Sequence, residues 1–101
     1  MLRIYDVTRS YPVDERFGLI QQLRRAAVSI PSNIAEGAGR DNSADFRRFL
    51  HIAHGSACEV ETQLDISFDL GYLAEEVHSR LLSDLIGIKA KLAGLERSLA
   101  D

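Results

Sequence analysis

FGLIQQLRRAAVSIPSNIAEGAG, residues 17–39, decides the fold of this chain. Its apolar positions Ile20, Leu23, Ala27, Ile30, Ile34 and Ala38 recur every three or four residues, the spacing of one helical face. Asp14 ahead of it is a suitable N-cap, and Gly37 and Gly39 supply C-terminal punctuation, so the pattern predicts a helix over 15–38. Pro31 inside this pattern removes a hydrogen bond to the Ala27 carbonyl and predicts a kink, with Ser29, Ser32 or Asn33 re-satisfying the freed backbone.

Working outward, Leu2 to about Ser10 reads as a helical stub closed by Tyr11-Pro12, because proline disfavours helix at the preceding residue. Asn42 or Ser43 caps a third helix, with Asp45 in its first turn where the helix dipole favours an anion. Phe46, Phe49, Leu50, Ala53, Ala57, Val60, Leu64 and Ser67 or Phe68 form its stripe, and Gly71 ends it. Glu75 and Glu76 open a fourth helix in which Leu81, Leu85, Ile88, Leu92, Leu95 and Leu99 step by four and three in turn. Leu82 and Ile86 widen that stripe toward a further neighbour.

Short connections make sequential helices antiparallel. The 101 residues therefore read as a single all-α domain, an up-down-up-down four-helix bundle with a shortened first helix. That first helix is too short to fill its groove. Another subunit covers the remainder, or residues upstream of Met1 do.

No apolar run approaches the ~20 residues of a membrane span, and the N-terminus lacks a signal pattern, so the expected location is the cytoplasm. The lone cysteine, Cys58, has no intrachain partner and reads as a small buried residue. A net charge of -3 argues against a strongly electrostatic nucleic-acid binder. The charge is nonetheless polarised. Residues 16–48 carry six arginines against Glu36, Asp41 and Asp45, whereas residues 49–101 carry nine acids against four bases. Arg40, Arg47 and Arg48 form the basic cluster, suited either to phosphate or to head-to-tail attraction between subunits.

GSACEVETQL, residues 55–64, places small and polar groups where a plain helix has Ala or Leu. Gly55 and Ser56 would admit the close approach of another backbone, that of the proline-containing helix. Arg24, Arg25, Asn33, Glu36, Glu59, Glu61 and Gln63 make a polar network expected to fix helix packing and subunit contacts. Glu59 and Gln63 share a face at i,i+4, Glu61 lies on the other side, and Arg24 or Arg25 is the expected partner of a buried acid. Glu75-x-x-His78 has the spacing of di-iron bundles, but those need a second copy that this sequence lacks, and His51 and His54 have no matching carboxylate. No phosphate-binding loop or nucleophile constellation is present, so no cofactor, metal or enzymatic activity is expected.

ERFGLIQQLRRAAVSIPSNIAEGAGR (residues 15–40) with FRRFLHIAHGSACEVETQLDISFDLGYL (residues 46–73) closely resembles the four-helix-bundle family encoded in intervening sequences of bacterial 23S ribosomal RNA genes. The resemblance extends over roughly residues 3–98. It implies a left-handed up-down bundle, commonly a ring-like homopentamer of no established biochemical activity. A related branch, the accessory variability proteins of diversity-generating retroelements, binds nucleic acid and a reverse transcriptase through a basic surface. This chain departs from the family in its short first helix, without the usual Lys- and Trp-containing start, and from that branch in its acidic balance. The expected role is a self-associating scaffold or adaptor. Its partners are further copies of the chain, with RNA or another protein as the alternative.

Overall fold

The computed structural model describes residues 3–100. Within them the chain forms four α-helices and no strand: α1 (Ile4–Thr8), α2 (Leu19–Ala38), α3 (Ser43–Asp69) and α4 (Glu75–Ser98), with a 3-10 turn at Val13–Glu15. The expected start of the stub at Leu2 lies outside the described residues; its end falls at Thr8 rather than Ser10.

Cross-helix contacts fix the directions. Gln63 meets Gln22, Ser56 meets Ser29, and Phe46 and Phe49 meet Gly37, so residue numbers rise along α2 as they fall along α3. Likewise His78 reaches Asp65 and Lys89 reaches Glu61 between α4 and α3, and Arg24 of α2 reaches Thr8 of α1. Successive helices are therefore antiparallel, and α3 packs against both α2 and α4. Leu23, Leu50, Ala53, Ala57, Val60 and Leu64 are wholly excluded from solvent, with Ile4 and Leu85 nearly so. These are the positions the helical periodicity marks as core.

The helix ends follow local chemistry. Asn42 adopts an extended conformation and its side chain accepts from the Asp45 amide at 2.8 Å, which satisfies one orphan donor at the start of α3. At the other end Gly71 takes φ +82°, where a Cβ would be strained. Tyr72 N–H then donates to Ser67 O at 2.9 Å and Gly71 N–H to Phe68 O at 3.0 Å, the paired bonds of a Schellman motif.

Several sequence expectations change. Helix α2 begins at Leu19, not Glu15: Asp14 sits in the 3-10 turn, and Gly18 occupies the N-cap without a side-chain cap. Gly37 is not punctuation but the point of closest approach to α3, since a Cβ there would lie 2.7 Å from Phe49 Cβ and 2.9 Å from Phe46 Cδ1; Gly39 is the C-cap. Conversely, a Cβ on Gly55 would meet nothing within 4 Å, so of this pair it is Ser56 that meets α2. Ile86, read as a widening of the α4 stripe, instead faces solvent. Helix α2 runs unbroken through Pro31. Asn33 donates to the Ser29 carbonyl and hydroxyl, at 2.8 and 2.9 Å, rather than to the carbonyl that Pro31 frees.

Candidate functional site: an open groove between two helices

Helix α1 has five residues, whereas α2 and α4 have 20 and 24. A bundle position one turn and a half long cannot cover neighbours of roughly 30–36 Å. The uncovered length is a groove of about 570 Å³ on the side of the bundle away from α3. Ile4 and Tyr5 close one end. Ala27, Val28, Ile30, Pro31 and Ile34 form the α2 wall, and Ile88, Lys91, Leu92 and Leu95 the α4 wall. Of these, Tyr5, Val28 and Leu95 are substantially exposed apolar groups, while Ile30 and Leu92 lie buried at its floor. Lys91 is its only charged lining residue and makes no ion pair among the described residues. Ala27 and Pro31 share this face, so the carbonyl left without its amide partner is also at the groove.

The residues expected to act as one polar network are spread over separate contacts. Arg24 ties α1 to α2: its Nε donates to Thr8 Oγ1 at 3.0 Å and its guanidinium lies 4.6 Å from the Tyr5 ring centroid. Arg25 is exposed, and together with Arg16, Phe17 and Arg24 it lines a second, shallower depression. Asn33 belongs to the Ser29–Ser56 cluster, whose two hydroxyls are 2.8 Å apart. Glu36 pairs with Arg40 at 2.7 Å on the surface. Gln63, buried, donates to Glu59 at 3.3 Å and reaches Gln22 across the helix pair at 3.5 Å.

Glu61 is paired, but with Lys89 of α4 and not with Arg24 or Arg25. Lys89 stands on the opposite side of α3 from the arginines, a placement set by packing rather than spacing. The hydrogen bond to Glu61 raises the Lys89 ammonium above its ordinary value, partly against the effect of burial. The Cys58 thiol, exposed rather than buried as its neighbours in sequence suggest, lies beside the same ammonium.

A small polar knot closes the other end of the bundle. Tyr72 donates to Glu15 Oε2 at 2.9 Å, and its ring packs 5.3 Å from that of Tyr11. The Tyr72 hydroxyl is raised above 10.0 chiefly by that bond to Glu15, and the Tyr11 hydroxyl by burial, only partly offset by the Ser67 hydroxyl beside it. No hydrogen bond of ordinary geometry satisfies the Tyr11 hydroxyl; Ser67 Oγ donates its own proton to the Gln63 carbonyl at 2.7 Å.

All three raised groups hold their protons more firmly in the folded chain than in the unfolded one. The stability they contribute is full below their unfolded values and is lost as pH rises through the folded ones. Unfolding free energy is accordingly expected to decline once pH passes ~10, and less steeply in Tyr11→Phe. Denaturant midpoints taken across that range check this, and a profile unchanged by the substitution would contradict it.

Of the basic cluster, Arg40 and Arg48 converge on one aromatic ring, 4.8 and 4.7 Å from the centroid of Phe49. Arg47 is exposed without a described side-chain partner. Spacing predicts the i,i+1 separation of Arg47 and Arg48 but not the return of Arg40, which the α2–α3 turn brings back. Among the described residues no group of three or more His, Cys, Asp or Glu is placed to hold a metal ion, and no helix is long and apolar enough to cross a membrane. His78 binds Asp65 at 2.9 Å and stacks on Phe68.

Comparison with known proteins bears on this geometry. The sequence pattern of the 23S rRNA-intervening sequence protein family matches residues 1–94. A crystal structure of a protein with unknown function from the S23 ribosomal protein family of Bacteroides thetaiotaomicron superimposes with a TM-score of 0.85 at 28% identity, over 93% of this chain and 88% of that one. No curated protein matches the chain.

Proposed function

Because the chain belongs to the 23S rRNA-intervening sequence protein family, we propose that it acts as a cytoplasmic, non-enzymatic scaffold or adaptor that works as a homo-oligomer, with five chains as the assembly. The observation that carries this reading is the open apolar groove between α2 and α4. A contiguous exposed apolar surface of this kind marks an interaction site, since a solvated groove gives up the stabilisation that burial against a partner restores. Among the described residues, no convergent acid, base or nucleophile lines that groove. Its single charged group, Lys91, is suited to binding an acidic partner group rather than to chemistry.

Solution mass by light scattering at low and moderate salt tests the proposal. The expected result is a species near five chains that persists on dilution and is unmoved by ribosomal RNA fragments. A monomer at all concentrations would overturn it.

A second reading rests on a different observation, the convergence of Arg40 and Arg48 on Phe49. Two guanidinium groups around one aromatic ring, with Arg47 nearby, suit a phosphate backbone despite the acidic balance of the whole chain. On this reading the triple substitution of Arg40, Arg47 and Arg48 to Glu abolishes RNA binding and leaves helicity intact. Binding by the unsubstituted protein should also fall steeply with salt. Retention of binding in the triple variant would remove the site.

A further inference from the structure

The shallower depression beside the first turns of α2 gathers charge that its own lining does not balance. Arg16, Arg24 and Arg25 all line it, and none of the three makes an ion pair among the described residues. Among the described residues, no acidic side chain lines it with them. Glu15, the acid next to Arg16 in sequence, accepts from the Tyr72 hydroxyl at 2.9 Å, and the first turn of α2 carries no acid. Three like charges thus share a hollow of about 420 Å³ in a chain whose net charge is -3. An anion entering it relieves their mutual repulsion. Extending α1 backward leads away from this hollow: the helix is antiparallel to α2, so from Thr8 to Ile4 it moves from Arg24 toward Ala27, the direction opposite to Arg16 and Phe17.

We propose that this hollow binds a nucleoside polyphosphate, with the phosphates on the three guanidinium groups and the base against the Phe17 ring. Two of the guanidinium groups are already held in place. Arg16 lies 5.1 Å from the Phe17 ring centroid and Arg24 lies 4.6 Å from that of Tyr5. A stacked guanidinium keeps its N–H edge for oxygen acceptors, and Arg24 commits only its Nε, to Thr8 Oγ1 at 3.0 Å. Such forks match the oxygens of a phosphate group, and more than one phosphate is needed to answer three charges. Phe17, 81% exposed, leaves ring surface bare for a flat base beside the same cations. Gln21 adds an exposed amide that can both donate and accept at a base edge. A compact ligand fits better than an extended backbone, because the positive charge is local. Arg40 stands beyond the far end of α2, roughly 22 Å along the helix from Arg25. The volume is within the ~300–1,000 Å³ of small-molecule sites. This binding does not rest on self-association of the chain.

Calorimetric titration of the whole chain with magnesium-free ATP at low salt tests the proposal. The expected result is saturable binding of one ATP per chain. Inorganic tripolyphosphate is expected to bind about tenfold more weakly for want of a stacked base, and adenosine, without phosphates, not to bind. Arg16→Gln/Arg25→Gln is expected to weaken ATP binding at least about tenfold. Both side chains are exposed, so the circular dichroism spectrum should not change, whereas Arg24 is left in place because it ties α1 to α2. Phe17→Ala is expected to lower ATP to the affinity of tripolyphosphate. Arg80→Gln/Arg97→Gln on α4 removes the same charge outside the hollow and is expected to bind ATP as the unsubstituted chain does. Absence of ATP binding, or an equal loss in the α4 variant, overturns the proposal. So does full ATP binding by the Arg16/Arg25 variant. Tripolyphosphate that binds as tightly as ATP overturns the contact with the base. A single-stranded RNA oligonucleotide held through Arg16 and Arg25 where ATP is not also overturns it, and gives the hollow to nucleic acid.

Discussion

Leu23→Ala is expected to lower the unfolding free energy by about 2–5 kcal/mol. Leu23 is wholly buried in the cluster where α1, α2, α3 and α4 meet, among Ile4, Val60, Leu64 and Leu85. Truncation there removes apolar area and leaves a space that four converging helices cannot close without moving their backbones. Such a loss is a large fraction of the ~5–15 kcal/mol that holds a domain of this size folded. Helix α1 adds to the sensitivity, because its five residues are anchored by Ile4 in this same cluster and by the Thr8–Arg24 bond. Denaturant unfolding at fixed protein concentration measures the effect, with Leu95→Ala at the groove rim as the reference. If the two substitutions cost the same, the arrangement of the core is wrong.

The second large effect comes from a single hydrogen-to-methyl change. Gly37→Ala is expected to destabilise by about 1–3 kcal/mol, although alanine is the better helix former. The added Cβ would stand 2.7 Å from Phe49 Cβ and 3.2 Å from the Phe46 carbonyl oxygen, atoms fixed to the α3 backbone that cannot swing aside as the end of a long side chain would. To admit the methyl group, α2 and α3 must separate where α2 ends. Gly55→Ala is the paired control. It meets nothing within 4 Å, so only propensity and unfolded-state entropy remain, and it is expected to stabilise by about 0.5–1 kcal/mol. Opposite signs for two Gly→Ala changes within helices would establish that the close approach is at Gly37. Equal signs would refute it.

These two glycines mark how far a sequence can be read. Both stand inside helical patterns, and nothing local distinguishes them. Gly37, two residues from Gly39, looks like an end signal, and Gly55 beside Ser56 looks like a packing notch. Packing makes Gly37 the notch and leaves Gly55 facing open space in mid-helix, since the distance between α2 and α3 is set by every side chain along the interface and not by the glycine itself. Glu61 gives the same lesson in charge. An acid near a bundle seam calls for a cation, but its identity as Lys89 depends on how far around α3 the fourth helix sits. Arg24, on the proline-containing helix itself, is turned toward Tyr5 and Thr8 instead. The exposed pair Val13 and Phe17 carries a weaker signal still, because scattered apolar residues in a connection are ordinary until their exposure is known.

The amino-acid sequence by itself determined the helices, their order and their antiparallel sense. Periodicity, the Asn42 cap, the Gly71 turn and the short connections act over a few residues, and local chemistry is fully written in the chain. Only the tertiary structure decided which side of the bundle lies open, which apolar groups line the opening and which charge stands on its wall. Those properties depend on the rotation of each helix about its own axis. That rotation is fixed by the simultaneous packing of α2, α3 and α4, residues far apart in sequence acting together.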